Sequence, residues 1–112
     1  QIVVWGTGTP RREFLHVDDC ADALVFLLKR YSEYEHINVC SGTDISILEL
    51  THLVWRVVGF TGEFVHDLSK PDGTPRKVMD VTALTRLGWT AQTPFDEAMT
   101  RAFRWYVENC TP

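Results

Sequence analysis

The chain has 112 residues, enough for one domain, and its 45% hydrophobic and 23% charged residues are ordinary for a globular protein. A net charge of −4 argues against nonspecific nucleic-acid binding. No apolar run approaches the roughly 20 residues of a membrane helix, and no signal-peptide pattern is visible, so no membrane partner is expected.

Ile2 to Trp5 is an apolar strand pattern. A turn follows, built from Gly6, Gly8 and Pro10, which supply positive and fixed φ. Arg11 and Arg12 come next, then an alternating strand pattern from Glu13 to Val17. Asp18 and Asp19 are N-cap candidates for a helix from Cys20 to Tyr31, with Lys29 and Arg30 in its last turn. His36 to Cys40 reads as a short strand. Ser46 and Glu49 form a capping box opening a helix that Gly59 ends near Val58. That helix is apolar on most sides and calls for partners on more than one of them.

Gly62 to Asp67 alternates as a strand. Leu68 to Arg76, carrying Pro71, Gly73 and Pro75, reads as a loop, and Lys77 to Met79 as a short strand. Asp80 is expected to cap a short helix that Gly88 stops after Leu87. Thr93 and Pro94 are an N-cap and first-turn proline for a last helix running to about Asn109. Its apolar face would be Phe95, Ala98, Met99, Ala102, Phe103, Tyr106 and Val107. There is no internal repeat and no linker.

Five of the eleven Lys and Arg residues fall in two short clusters, Arg11 with Arg12, and Lys70 with Arg76 and Lys77. A guanidinium fork matches phosphate oxygens two at a time, so a basic pair between two strands suits an anionic ligand. The same pair also reads as a solvated hairpin tip. The loop Lys70-Pro71-Asp72-Gly73-Thr74-Pro75-Arg76-Lys77 is stiffened by its prolines, which lowers the ordering cost of binding. Three widely spaced cysteines, Cys20, Cys40 and Cys110, with no Cys-x-x-Cys, read as reduced intracellular thiols. His16, beside Asp18 and Asp19, reads as structural. His36, His52 and His66 share no ligand spacing, so no metal is expected.

The segment Arg12-Glu13-Phe14-Leu15-His16-Val17-Asp18-Asp19, preceded by Val4-Trp5-Gly6-Thr7-Gly8-Thr9-Pro10, resembles a signature of the extended short-chain dehydrogenase/reductases that act on nucleotide sugars. The loop from Lys70 to Lys77, followed by Met79-Asp80 and Leu87-Gly88-Trp89, resembles a later part of the same enzymes, so the likeness spans essentially the whole chain. It implies an α/β fold. Residues 1–112 would be the C-terminal nucleotide-sugar-binding domain of a larger two-domain enzyme, with the Rossmann N-terminal part absent. It also implies a GDP-sugar substrate, NADP(H) bound outside this segment, a homodimeric full-length enzyme and a cytoplasmic location. By position the substrate-side residues would be Trp5, Arg12, Asp72 and Lys77. Trp5 would lie against the ligand, Arg12 and Lys77 would hold the diphosphate, and Asp72 would contact the nucleoside. From the residues alone, Trp5 also reads as core, and Asp72 as an Asx-turn residue. Cys20 and Cys40 depart from the family pattern, where a small or apolar residue and a glycine are more usual.

The chain contains neither Gly-x-x-Gly-x-x-Gly nor Tyr-x-x-x-Lys. No cofactor-binding and no catalytic residue is therefore expected in it. It begins at Gln1 inside a strand pattern with no initiating Met, which reads as a piece of a longer protein. Alone it is expected to be inactive and to self-associate. Two other readings remain, another nucleotide-sugar epimerase or reductase and a free-standing, non-catalytic nucleotide-sugar-binding module.

Overall fold

A computed structural model describes residues 1–110 as a mixed α/β chain with two small sheets and four helices. Strand β1 (Ile2–Trp5) pairs in parallel with β4 (Phe64–Asp67), Trp5 opposite Asp67. Strand β2 (Arg11–Glu13) lies between β3 (Asp44–Ser46), antiparallel, and β5 (Arg76–Lys77), parallel. The helices are α1 (Val17–Arg30), α2 (Ile47–Val58), α3 (Thr82–Leu87) and α4 (Phe95–Cys110).

The capping box is present in full. The Ser46 hydroxyl accepts from Glu49 N at 3.1 Å, and Glu49 Oε2 accepts from Ser46 N at 2.6 Å. Gly59 closes α2 in the left-handed region at φ 67°. Asp80 accepts from Thr82 N at 2.9 Å, just ahead of α3, although Val81 holds the cap position.

Several expected boundaries move. The pairing strand is Arg11–Glu13, not Glu13 to Val17. Phe14 leaves the sheet to stack on Phe95 at 5.2 Å, and Leu15 packs on the core. Helix α1 therefore starts early, and its cap is His16, whose Nδ1 accepts from Asp18 N at 3.2 Å. His16 is thus structural, and Asp18 and Asp19 sit in the first turn, where negative charge suits the macrodipole. His36 to Cys40 forms no strand, because no neighbouring strand pairs with it. Ile37 and Val39 instead pack on the core, and Cys40 is buried. The expected Lys77 to Met79 strand is Arg76–Lys77, and Met79 N donates to Glu13 Oε1 at 2.5 Å.

Thr93 does not cap α4 with its side chain. Its hydroxyl and N–H both donate to the buried carboxylate of Asp19, each at 2.9 Å. Burial alone raises the pKa of Asp19. The hydrogen bonds from Thr93, aided by the Gln92 backbone and His16, outweigh it and hold the carboxyl below its ordinary 3.8. A depressed carboxylate pKa contributes stability that is present above the ordinary value and lost as pH falls through the depressed one. Asp19→Ala strands two donors and should cost about 1–3 kcal/mol at neutral pH. Urea denaturation from neutral to acid pH checks this, and the loss should shrink as the pH drops below 3.8.

The core is small. Ala23, Leu84 and Trp89 are buried, with Leu15, Phe26, Leu27, Ile37, Val39 and Ala91 around them. Trp89 Nε1 donates to Asp22 Oδ2 at 2.8 Å. Under β4, Phe64 meets Trp55 and His52 edge-on at 5.3 and 5.0 Å. Much apolar surface stays open. Val17, Leu24, Val25 and Leu28 of α1 are exposed, as are Val54 and Val58 of α2 and Trp105 and Tyr106 of α4. In α2 only Leu53 is buried, so the partners its sequence calls for cover one side.

Candidate functional site

The three-stranded sheet sorts four basic residues into two pairs. In register Arg11 faces Arg76, and Arg12 faces Lys77. Partners in register share a face of the sheet, and neighbours along a strand alternate between faces. Arg11 and Arg76 thus lie on one face, and Arg12 and Lys77 on the other.

The first pair is neutralised. Asp44 Oδ2 lies 2.6 Å from Arg76 Nε and 3.4 Å from Arg11 Nε, and Arg11 also reaches Glu49 at 3.5 Å. The hydrogen bond from Arg76, reinforced by the charges of Arg76 and Arg11, holds the Asp44 carboxyl below its usual range. Glu13, on the same face, spends its carboxylate on the backbone N–H groups of Gly42 and Met79.

The second pair has no carboxylate within ion-pair distance among the described residues. Arg12 Nη1 donates to the carbonyls of Arg11 and Thr74, both at 2.7 Å. That fixes the guanidinium and leaves its Nε and Nη2 donors, the edge that takes a phosphate two oxygens at a time. A Cβ on Gly73 would come within 3.1 Å of Arg12 Nη2, so the glycine lets the guanidinium lie over the loop. Arg12 also lines a cavity of about 210 Å³ with Phe14, His16, Ser41, Thr43 and Phe95. Lys77 is exposed on the short β5.

Trp5 is 69% exposed in this chain, and Lys70 Nζ lies 5.5 Å from its ring centroid. Asp72 is no Asx-turn residue. Its Oδ1 accepts from Thr7 N at 2.8 Å and its Oδ2 from the Thr7 hydroxyl at 2.7 Å. A carboxylate oxygen has two lone pairs, so each keeps one for a further donor. Of the four expected residues, the structure sets Arg12 and Lys77 side by side. Asp72 joins them through the loop whose Thr74 carbonyl holds Arg12, and Trp5 stands at the end of β1 just before the turn.

Sequence reasoning missed the sorting of the basic residues, grouping Arg11 with Arg12 and Arg76 with Lys70 and Lys77. It also missed Thr7, and it read Gly6 only as the positive-φ turn residue that it is, not as the place where Asp72 approaches. Gly6 sits at φ 73°, and a Cβ there would collide with Asp72 Oδ1. The Gly-Thr-Gly pattern signals a turn, but nothing local signals a partner 65 residues away. The turn from Gly6 to Pro10 leads into a strand and not a helix, so it offers no helix N-terminus to a dinucleotide pyrophosphate.

Residues 1–40 match the family model of the NAD dependent epimerase/dehydratase family. The α/β fold has neighbours among the extended short-chain dehydrogenase/reductases. More particularly, the chain is homologous to GDP-L-fucose synthases over nearly its whole length. It is 55% identical to the probable GDP-L-fucose synthase 1 of Oryza sativa subsp. japonica, over 97% of this chain and 33% of that protein. It is 44% identical to the GDP-L-fucose synthase of Escherichia coli K12, over 96% of this chain and 36% of that protein. The solved GDP-L-fucose synthetase of Naegleria fowleri bound to NADP superposes with a TM-score of 0.90 at 34% identity, over 96% of this chain and 34% of that one. The chain therefore spans about a third of the length of the curated relatives it matches.

Proposed function

We propose that the chain is the C-terminal, substrate-binding domain of an NADPH-dependent GDP-4-keto-6-deoxymannose 3,5-epimerase/4-reductase that makes GDP-L-fucose. The observation that carries this is the unneutralised Arg12–Lys77 pair on one face of a sheet whose other two basic side chains are already paired. A diphosphate brings the negative charge and the oxygens that such a pair takes up. Trp5 offers an exposed ring for the ligand to lie against, and Asp72 keeps lone pairs for the nucleoside. The homologues named GDP-L-fucose synthase support the choice of GDP-sugar over other nucleotide sugars.

The described residues do not fit NADP, since among them no Gly-rich turn opens a helix, and the cofactor is proposed to bind another part of the longer protein. That part would also supply the catalytic groups. The longer protein is proposed to be a cytoplasmic homodimer. The free thiols of Cys20, Cys40 and Cys110 support that compartment. Among the described residues no helix is long and apolar enough to cross a membrane.

The test is turnover. The full-length protein should oxidise NADPH with GDP-4-keto-6-deoxymannose and release GDP-L-fucose, and the 112-residue chain alone should do neither. Turnover by the isolated chain, or none by the full-length protein, overturns the reading. The isolated chain should also self-associate, because the exposed apolar stripe of α1 and the open side of α2 invite it. Sedimentation should show species above the monomer, with binding of a dye specific for apolar surface.

A further inference from the structure

We propose that Thr7 is a positioning residue, the pin that fixes Asp72 and its loop against the Arg12–Lys77 pair. This rests on the GDP-sugar reading above and adds a residue to it.

Three residues of the loop, spaced two apart, touch the segment that runs from β1 into β2. Lys70 lies over the Trp5 ring, Asp72 takes both donors of Thr7, and the Thr74 carbonyl takes Arg12 Nη1. The middle contact is the two-pronged one. Its hydrogen bonding closes without an orphan. The Thr7 hydroxyl gives its one proton to Asp72 Oδ2 at 2.7 Å, and its lone pairs accept Thr9 N at 3.2 Å and the Thr9 hydroxyl at 2.7 Å. The backbone N–H of Thr7 takes the other carboxylate oxygen at 2.8 Å. Gly6 makes room for the approach, and its carbonyl lies 2.9 Å from His66 Nδ1, which anchors the turn on β4.

Without the Thr7 hydroxyl the carboxylate keeps only the backbone donor and can swing about it. The loop then no longer presents Thr74 to Arg12 at a fixed place, nor Asp72 to the nucleotide. Thr7 is exposed and, among the described residues, its hydroxyl bonds only Asp72 and Thr9, so its loss acts on ligand affinity and not on folding.

The test uses GDP as probe and the full-length protein, with affinity measured by titration calorimetry and melting temperature measured alongside. Thr7→Val keeps the shape of the side chain and removes the hydroxyl, and it should weaken GDP binding about tenfold, the scale of one hydrogen bond to a charged group. Thr7→Ser restores the hydroxyl and should return affinity to within about twofold of the parent. In an Asp72→Asn background Thr7→Val should add much less than it does alone, because the partner it acts through is altered. The melting temperature should hold throughout. Retained GDP affinity in Thr7→Val while Arg12→Ala loses it overturns the Thr7 inference alone. A Thr7→Ser variant as weak as Thr7→Val does the same. Retained affinity in Arg12→Ala and Lys77→Ala overturns the GDP-sugar reading, and the role of Thr7 falls with it.

Discussion

Arg12→Ala in the full-length protein is expected to weaken GDP-sugar binding by about 10- to 150-fold, and Lys77→Ala by a similar factor. A hydrogen bond to a charged group contributes about 1.5–3 kcal/mol, and each 1.4 kcal/mol is about tenfold in affinity. The control lies one residue away. Arg11→Ala and Arg76→Ala each remove a guanidinium from the same two strands, but from the face where Asp44 already takes both charges. Their effect on binding should stay within about threefold. A net-charge effect would treat the four substitutions alike, whereas a site on one face separates them by pairs. Raising the salt concentration should weaken the parent more than Arg12→Ala or Lys77→Ala, since screening acts on the charges that remain. If Arg11→Ala costs as much affinity as Arg12→Ala, the sorting by face carries no functional meaning.

The parts of this fold that were legible in the sequence are those decided within a few residues. Ser46 and Glu49 cap α2 through a three-residue spacing, and Gly59 and Gly88 end helices in left-handed conformations that favour glycine. The strand from Ile2 to Trp5 and the loop after Leu68 follow from apolar patterning and from proline. What failed depended on distant partners. The alternation of His36 to Cys40 meets the local rule for a strand, yet a strand needs a neighbour, and Ile37 and Val39 pack on the core instead. Thr93 has the chemistry of a cap but spends it on Asp19, 74 residues away.

The site divides the same way. Arg12, Lys77, Asp72 and Trp5 came from motif resemblance, and the exposure of Trp5 could not be read from an apolar strand. Once Arg11 and Arg12 are placed on one strand, opposite faces follow from the pleat. Which face is neutralised depends on Asp44, on an antiparallel neighbour, and on the register of β5, none of which is local.

Leu84→Ala should cost the isolated chain about 2–5 kcal/mol, the range for emptying a buried leucine site. Leu84 is 1% exposed and packs with Ala23 and Trp89, and few other side chains in the chain are buried. A small domain has on the order of 5–15 kcal/mol in all, so this loss could unfold a large share of the population. Leu28→Ala changes the same atoms at a position 85% exposed. In the isolated chain it should shift stability by no more than about 0.5 kcal/mol, and it should reduce self-association by trimming the α1 stripe. In the full-length protein the expectation changes for one residue only. Leu84→Ala should keep its cost. Leu28→Ala should acquire one if the proposed remainder of the longer protein covers Val17, Leu24 and Leu28 and turns an exposed leucine into a buried one. Urea denaturation of both variants in both chain lengths makes the comparison. A Leu28→Ala effect that stays near zero in the full-length protein would mean that the α1 stripe faces solvent there too, and that the apolar surface open in this chain is not where the rest of the protein docks.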